Sequence, residues 1–143
     1  MKILLPVDGS ENSIRAVKYA ADIAKNIKES SFTLVYVDNL RSLVLNIAGR
    51  AGDTYNVESL LDEKMETALK EAENILSSNE IPFDKEYLEH DDPAEAICDY
   101  AEKNGFNQII MGTRGYGNIQ GIIMGSVSHK VLYLASCPVT FVK

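Results

Sequence analysis

The sequence contains few of the residues on which redox and metal sites depend. Its two cysteines, Cys98 and Cys137, stand in separate apolar stretches, and no Cys-x-x-Cys pair or Cys/His cluster of metal-binding spacing occurs. We therefore interpret both cysteines as small buried hydrophobic residues, as is typical of a protein in a reducing cytosol. The two histidines, His90 and His129, lie in polar or helical contexts and belong to no recognised catalytic motif.

Basic charge and long apolar runs are also scarce. The formal net charge is −7, and an acidic surface repels both nucleic-acid phosphates and anionic membranes. The apolar run Ile3–Val7 is too short for a signal peptide or a membrane span, and no other run approaches the length of a span. We therefore predict a soluble, cytoplasmic protein without a nucleic-acid or membrane partner. An anionic ligand would have to be bound locally, by backbone amides and one or two arginines.

The motifs of common phosphate-binding and metal enzymes are missing. The patterns GxxxxGK[ST] and HExxH do not occur, and the first candidate turn reads Asp8-Gly9-Ser10 instead of GxGxxG. No nucleophile and general base stand in a recognised pairing, and no lysine is identified that would bridge the β and γ phosphates of a nucleotide. Fast catalysis is therefore not expected.

What the sequence does contain is a regular alternation of strand and helix patterns over 143 residues. Short apolar runs predict strands, and apolar residues spaced by three or four predict amphipathic helices. The order β-α-β-α-β-α-β-α-β predicts one α/β domain over residues 1–143, with helices on both faces of a parallel sheet. The predicted strands are 3–7, 31–37, 83–89, 107–112 and 139–143.

Local signals mark where some of these helices begin and end. Ser10 is placed to cap the first helix. Asp92 caps a later helix, with Glu95 where a capping box requires it and Gly105 at the end. Residues 38–57 show no strong period, so we predict an irregular loop whose apolar stretch LVLNIAG covers either a bound ligand or a partner.

Glycines are concentrated after the fourth predicted strand. Five of the nine glycines lie between Gly112 and Gly125, directly behind the apolar run QIIM. Ligands of open α/β sheets bind beyond the carboxyl ends of the strands, so this cluster lies at the ligand-binding edge. Glycines let backbone amides approach a phosphate, and a helix that begins at Ser126 adds free amides and a partial positive charge. Arg114 is placed to add a charged guanidinium group, whose paired N–H donors suit a phosphate.

These motifs together resemble the universal stress protein family. The spacing Gly112-x-x-Gly115, nine residues, Gly125-Ser126 is similar to the G-2x-G-9x-G-[S/T] signature of its ATP-binding branch. The stretches ILLPVDGSENS, DDPAEAI and GSVSHKVLYLASCPVTFVK resemble the family's first strand and turn, a central helix start, and its C-terminal helix and strand. The resemblance covers nearly the whole chain.

The resemblance implies a five-stranded sheet of order 3-2-1-4-5, a homodimer paired through the last strand, and an ATP site. Asp8 would hold the ribose hydroxyls, with Pro6 and Val7 beside it, and the backbone of Val37 would meet the adenine edge. Mg²⁺ or Mn²⁺ would be bound through the phosphates. The residues that would wrap the ribose and the phosphates are Gly112, Arg114, Gly115, Gly125, Ser126, Val127 and Ser128.

Three functions remain open from the sequence. The first is a dimeric, ATP-dependent switch in the stress response, with little or no turnover and an unknown protein partner. The second is a slow, metal-dependent ATP hydrolase or transferase that uses Asp8 or a loop carboxylate such as Asp53. The third is an interaction protein without a nucleotide.

Overall fold

The protein is described by a computed structural model over residues 1–27, 29–52, 54–115 and 124–143. Five parallel strands form one sheet, and its strand order confirms the predicted order 3-2-1-4-5. Asp53, Gly117 and Gly121 lie outside the described residues. The strands are β1 (Lys2–Pro6), β2 (Ser31–Asp38), β3 (Phe83–Glu89), β4 (Gln108–Gly112) and β5 (Val139–Val142).

Helices cover both faces of the sheet, as expected for parallel strands. They are α1 (Glu11–Ala24), α2 (Arg41–Ala51), α3 (Thr54–Ser78), α4 (Pro93–Lys103) and α5 (Ser126–Leu134). Along β1 the side chains alternate: Ile3 and Leu5 pack beneath α1 and α3, whereas Leu4 packs beneath α4 and α5. All three side chains are fully buried. No helix within the described ranges has the length and apolar character that a membrane span requires.

The predicted helix caps form with one exception. The Ser10 side chain accepts from the Ser13 amide at the start of α1, and Asp92 accepts from two amides at the start of α4. Gly105 ends α4 with a φ of +65°. The second half of the capping box is wrong, because the Glu95 carboxylate accepts from Lys130 Nζ at 2.8 Å instead of reaching back to the cap.

The predicted loop over residues 38–57 is also wrong, because this segment forms α2 and the start of α3. Gly49 and Gly52 favour a loop in the sequence, but Gly49 lies within α2 and Gly52 ends that helix with a φ of +77°. Arg41 joins α2 to α3 through an ion pair to Asp62, at 2.8 Å between Nη1 and Oδ1. The apolar side chains Leu43 and Ile47 of α2 are 56% and 61% exposed, so α2 buries little of its apolar stretch.

Candidate functional site

A cavity of about 700 Å³ opens at the carboxyl ends of β1, β2 and β4. This is the edge at which open α/β sheets bind ligands. All of the residues predicted to bind a nucleotide line this one cavity, although they come from four separate parts of the chain. They are Pro6, Val7, Asp8, Val37, Gly112, Arg114, Gly115, Gly125, Ser126, Val127 and Ser128.

One end of the cavity is an apolar slot between the sheet and the helices α4 and α5. Val35, Ile97 and Met111 are buried in the hydrophobic cluster on that face, and Val37 and Val127 pack against the same cluster. A slot of this kind suits a flat, weakly polar ring, since ligand sites are largely apolar with a few placed polar groups. Val37, near the end of β2, lines the cavity beside this slot.

The other end of the cavity is the start of α5. Gly125 is the N-cap residue of α5, and no side chain within the described residues caps this helix. The first amides of α5 therefore have no helical acceptor, and the helix dipole places about half a positive charge there. Two contacts anchor this end: the Gly125 amide donates to the Thr113 carbonyl at 2.7 Å, and the Ser128 hydroxyl donates to the Gly112 carbonyl at 2.9 Å.

Gly112 and Gly115 both lie so close to another part of the chain that a side chain would collide with it. A Cβ atom at Gly112 would lie 2.7 Å from the backbone carbon of Asn12, so α1 packs this closely on β4 only because the side chain is absent. A Cβ atom at Gly115 would lie 2.5 Å from Oδ2 of Asp8. Gly112 therefore has a packing role that the sequence did not reveal, besides its place on the cavity wall.

Gly125, by contrast, is not required by the fold. Its φ of −73° and ψ of 163° suit any residue. Among the described residues, the nearest atom to an added Cβ would be Cα of Arg114, at 3.4 Å, which is close to an ordinary contact. Such a carbon would fill the gap between residues 113–115 and the start of α5. The described residues therefore tolerate a Cβ atom at this position.

Comparison with known proteins agrees with this architecture. Residues 1–143 match the model of the universal stress protein family. The chain belongs to this family.

Similar proteins are found in archaea. Universal stress protein MJ0531 of Methanocaldococcus jannaschii is 34% identical over 142 residues, which cover 99% of this chain and 81% of that protein. The solved structure of MJ0577 from the same organism has a TM-score of 0.83 at 27% identity, over 99% and 94% of the two chains. The universal stress protein from Archaeoglobus fulgidus, solved in complex with dAMP, shares the fold, with a TM-score of 0.71 at 21% identity over 100% and 98% of the chains.

The structure adds residues to the cavity of this universal stress protein that sequence reasoning missed. Lys64 on α3 and Asn39, the residue directly after β2, both line the cavity. Lys64 forms no ion pair with any residue in the described part of the chain, and it also borders a smaller cavity of about 320 Å³ that shares Asp8. No local signal separates Lys64 from the other charged residues of α3, because only the packing of α3 brings it to the cavity.

A cluster of ion pairs joins the two helices, α4 and α5, that border the apolar slot. Lys130 on α5 donates to Asp92 Oδ2 at 2.6 Å and to Glu95 Oε1 at 2.8 Å, which ties α5 to the start of α4. The hydrogen bond from Lys130 lowers the pKa of Asp92, and the Asp92 carboxylate raises the pKa of Lys130. These charges are partly exposed, so we assign them an orienting role rather than a large contribution to stability.

Proposed function

We propose that this universal stress protein binds ATP in the 700 Å³ cavity and acts as a dimeric, nucleotide-dependent switch in the stress response. The observation that carries the proposal is the convergence of every predicted nucleotide-binding residue on one cavity, with an apolar slot at one end and an uncapped helix N-terminus at the other. The A. fulgidus protein of the same fold is in complex with dAMP, which supports an adenine nucleotide. The chain would act in the cytoplasm as one domain over residues 1–143.

The two ends of the cavity suggest how ATP would lie. The adenine ring would enter the apolar slot and meet the backbone of Val37, and Asp8 would accept from the ribose hydroxyls. The phosphates would bind the first amides of α5, with Arg114 as a charged donor. No group of three His, Cys, Asp or Glu side chains in the described ranges is placed to hold a metal ion, so Mg²⁺ or Mn²⁺ would be bound through the phosphates.

Little or no turnover is proposed because no nucleophile and general base stand in a recognised pairing in the sequence, although His129 also lines the cavity. Asp8, the carboxylate on the cavity wall, has one oxygen occupied by Ser10. A slow ATP hydrolase remains the second candidate, since Lys64 provides the cavity with a lysine that the sequence had not indicated. In either case catalysis would rest on positioning and charge rather than on a covalent intermediate.

The protein partner of the switch is unidentified. The exposed residues of α2 favour contact with a partner as the role of the apolar stretch LVLNIAG. Leu43 and Ile47 point their apolar side chains to solvent, and no described residue of α2 lines the cavity. The apolar stretch is therefore better placed to contact a partner than to cover a nucleotide.

Titration of nucleotide-stripped protein with ATP and Mg²⁺ by calorimetry, followed by chromatography of the products, tests the proposal. We expect saturable binding, with the nucleotide recovered as ATP. Recovery of ADP or AMP at useful rates would favour the hydrolase. A flat titration would contradict both functions and leave the nucleotide-free interaction protein.

We also predict that the protein is a homodimer paired through β5. This strand ends the sheet, and its four residues are only half buried. The carbonyls of Pro138 and Val142 accept from the β4 side, so strand alternation turns the backbone of Val139 and Phe141 towards the open edge. An unpaired edge of this kind invites pairing with a second chain.

Light scattering at micromolar concentration checks the dimer, for which the expected mass is twice 15.8 kDa. Val139→Pro removes an outward-facing amide while leaving the β4 hydrogen bonds in place, so we expect this variant to shift towards the monomer. A monomeric mass for the unsubstituted protein would contradict the prediction.

A further inference from the structure

The turn after β1 folds its own side chains back on one another. Gly9 has a φ of +85°, in the left-handed region that favours glycine. This conformation brings the Ser10 amide to Asp8 Oδ1 at 2.9 Å, so that the aspartate caps its own turn. The sequence Asp-Gly-Ser therefore ties the carboxylate to the start of α1.

The Ser10 hydroxyl is the second group that holds Asp8. It donates to the same oxygen, Oδ1, at 2.6 Å and accepts from the Ser13 amide at 3.3 Å as the cap of α1. Arg114 O lies 3.4 Å from Oγ, but a hydroxyl has one hydrogen, and the shorter contact to the charged acceptor takes it. Ser10 is 4% exposed, so water does not compete effectively for this hydrogen bond.

The amide and the hydroxyl of Ser10 therefore both donate to the same carboxylate oxygen, Asp8 Oδ1. The other oxygen, Oδ2, lies on the Gly115 side, where an added Cβ atom would be 2.5 Å away. No donor among the described residues reaches Oδ2. A carboxylate held at one oxygen in this way presents the second in a fixed direction, at the cavity wall.

We infer that Ser10 is a positioning residue for nucleotide recognition: it holds Asp8 Oδ1 so that Oδ2 accepts from a ribose hydroxyl of the bound nucleotide. This inference rests on the proposed ATP site. It assigns a function to the buried side chain of Ser10, which does not line the cavity. Because Ser10 also caps α1, the preference for a nucleotide with ribose hydroxyls would depend on that helix cap.

The test compares ATP with 2′,3′-dideoxy-ATP, which lacks both hydroxyls, in calorimetric titrations of four proteins. Ser10→Ala and Ser10→Gly both remove the hydroxyl, but glycine is the better helix cap, so the pair separates loss of orientation from loss of helix stability. Ser10→Thr retains a hydroxyl. We expect Ser10→Ala and Ser10→Gly each to weaken ATP binding about tenfold, as for loss of one hydrogen bond to a charged group.

The discriminating readout is the ratio of the two affinities. Binding of 2′,3′-dideoxy-ATP should be nearly the same in all four proteins, and Ser10→Thr should restore much of the preference for ATP. An equal loss for both nucleotides, or no loss for either, would overturn the inference while leaving the proposed function standing. If the unsubstituted protein binds no ATP, the proposed function fails, and the inference fails with it.

Discussion

Gly125→Val is expected to weaken ATP binding about a hundredfold while the fold is retained. The backbone at this position suits any residue. The added carbons would occupy the gap between residues 113–115 and the start of α5. That gap is where the phosphates are proposed to meet the backbone amides. The loss of two charge-assisted hydrogen bonds accounts for an effect of this size.

Calorimetry with ATP measures this effect, and circular dichroism with thermal unfolding checks the fold. Gly49→Val is the matched control, because Gly49 lies on α2, away from the cavity, with Thr54 Cγ2 at 3.7 Å as the nearest atom. The control should bind ATP normally. Unchanged affinity in Gly125→Val would refute the placement of the phosphates at the start of α5.

Gly112→Ala is expected to lower the free energy of unfolding by about 2–3 kcal/mol, whether or not a nucleotide is bound. The new Cβ atom would lie 2.7 Å from the backbone carbon of Asn12 and 2.9 Å from its carbonyl oxygen. These are main-chain atoms in the first turn of α1, so no flexible side chain can move aside. The helix must shift away from β4, which loosens the buried packing of Ile14 and Val17.

Urea unfolding measures this change as a lower midpoint with an unchanged slope. Gly49→Ala is the control, since its helical position and open surroundings predict a slight stabilisation. An unchanged midpoint for Gly112→Ala would show that α1 does not pack against β4 as described.

The two substitutions distinguish two reasons for glycine in one sequence motif, which are close backbone packing at Gly112 and the proposed nucleotide at Gly125. Gly112 and Gly125 stand in the same signature, yet the backbone of α1 demands glycine at the first position, whereas no atom of the described residues demands it at the second. A motif matched by residue type alone does not distinguish these cases. The distances to neighbouring atoms do.

Much of the architecture was predictable because it depends on local patterns. Buried runs such as Ile109–Met111 indicate central strands, and Asp92 and Gly105 mark the ends of α4 by backbone chemistry that acts within a few residues. The sheet order came from the resemblance to the family rather than from the patterns. The start of α3 and the whole of α2 are not predicted, because Gly49 and Gly52 indicate a loop in the sequence, whereas Gly49 lies within α2 and Gly52 ends it.

By itself, the sequence determined the alternation of strands and helices, the capping turn at Asp8-Gly9-Ser10 and the residues that gather at the carboxyl edge of the sheet. Each of these follows from hydrophobic period, from turn chemistry or from a motif of fixed spacing. Only the tertiary structure decided that Lys64 borders the cavity and that Asn12 excludes a side chain at Gly112. Those contacts join residues far apart in the chain, so their geometry arises from how helices pack on the sheet and has no local signature.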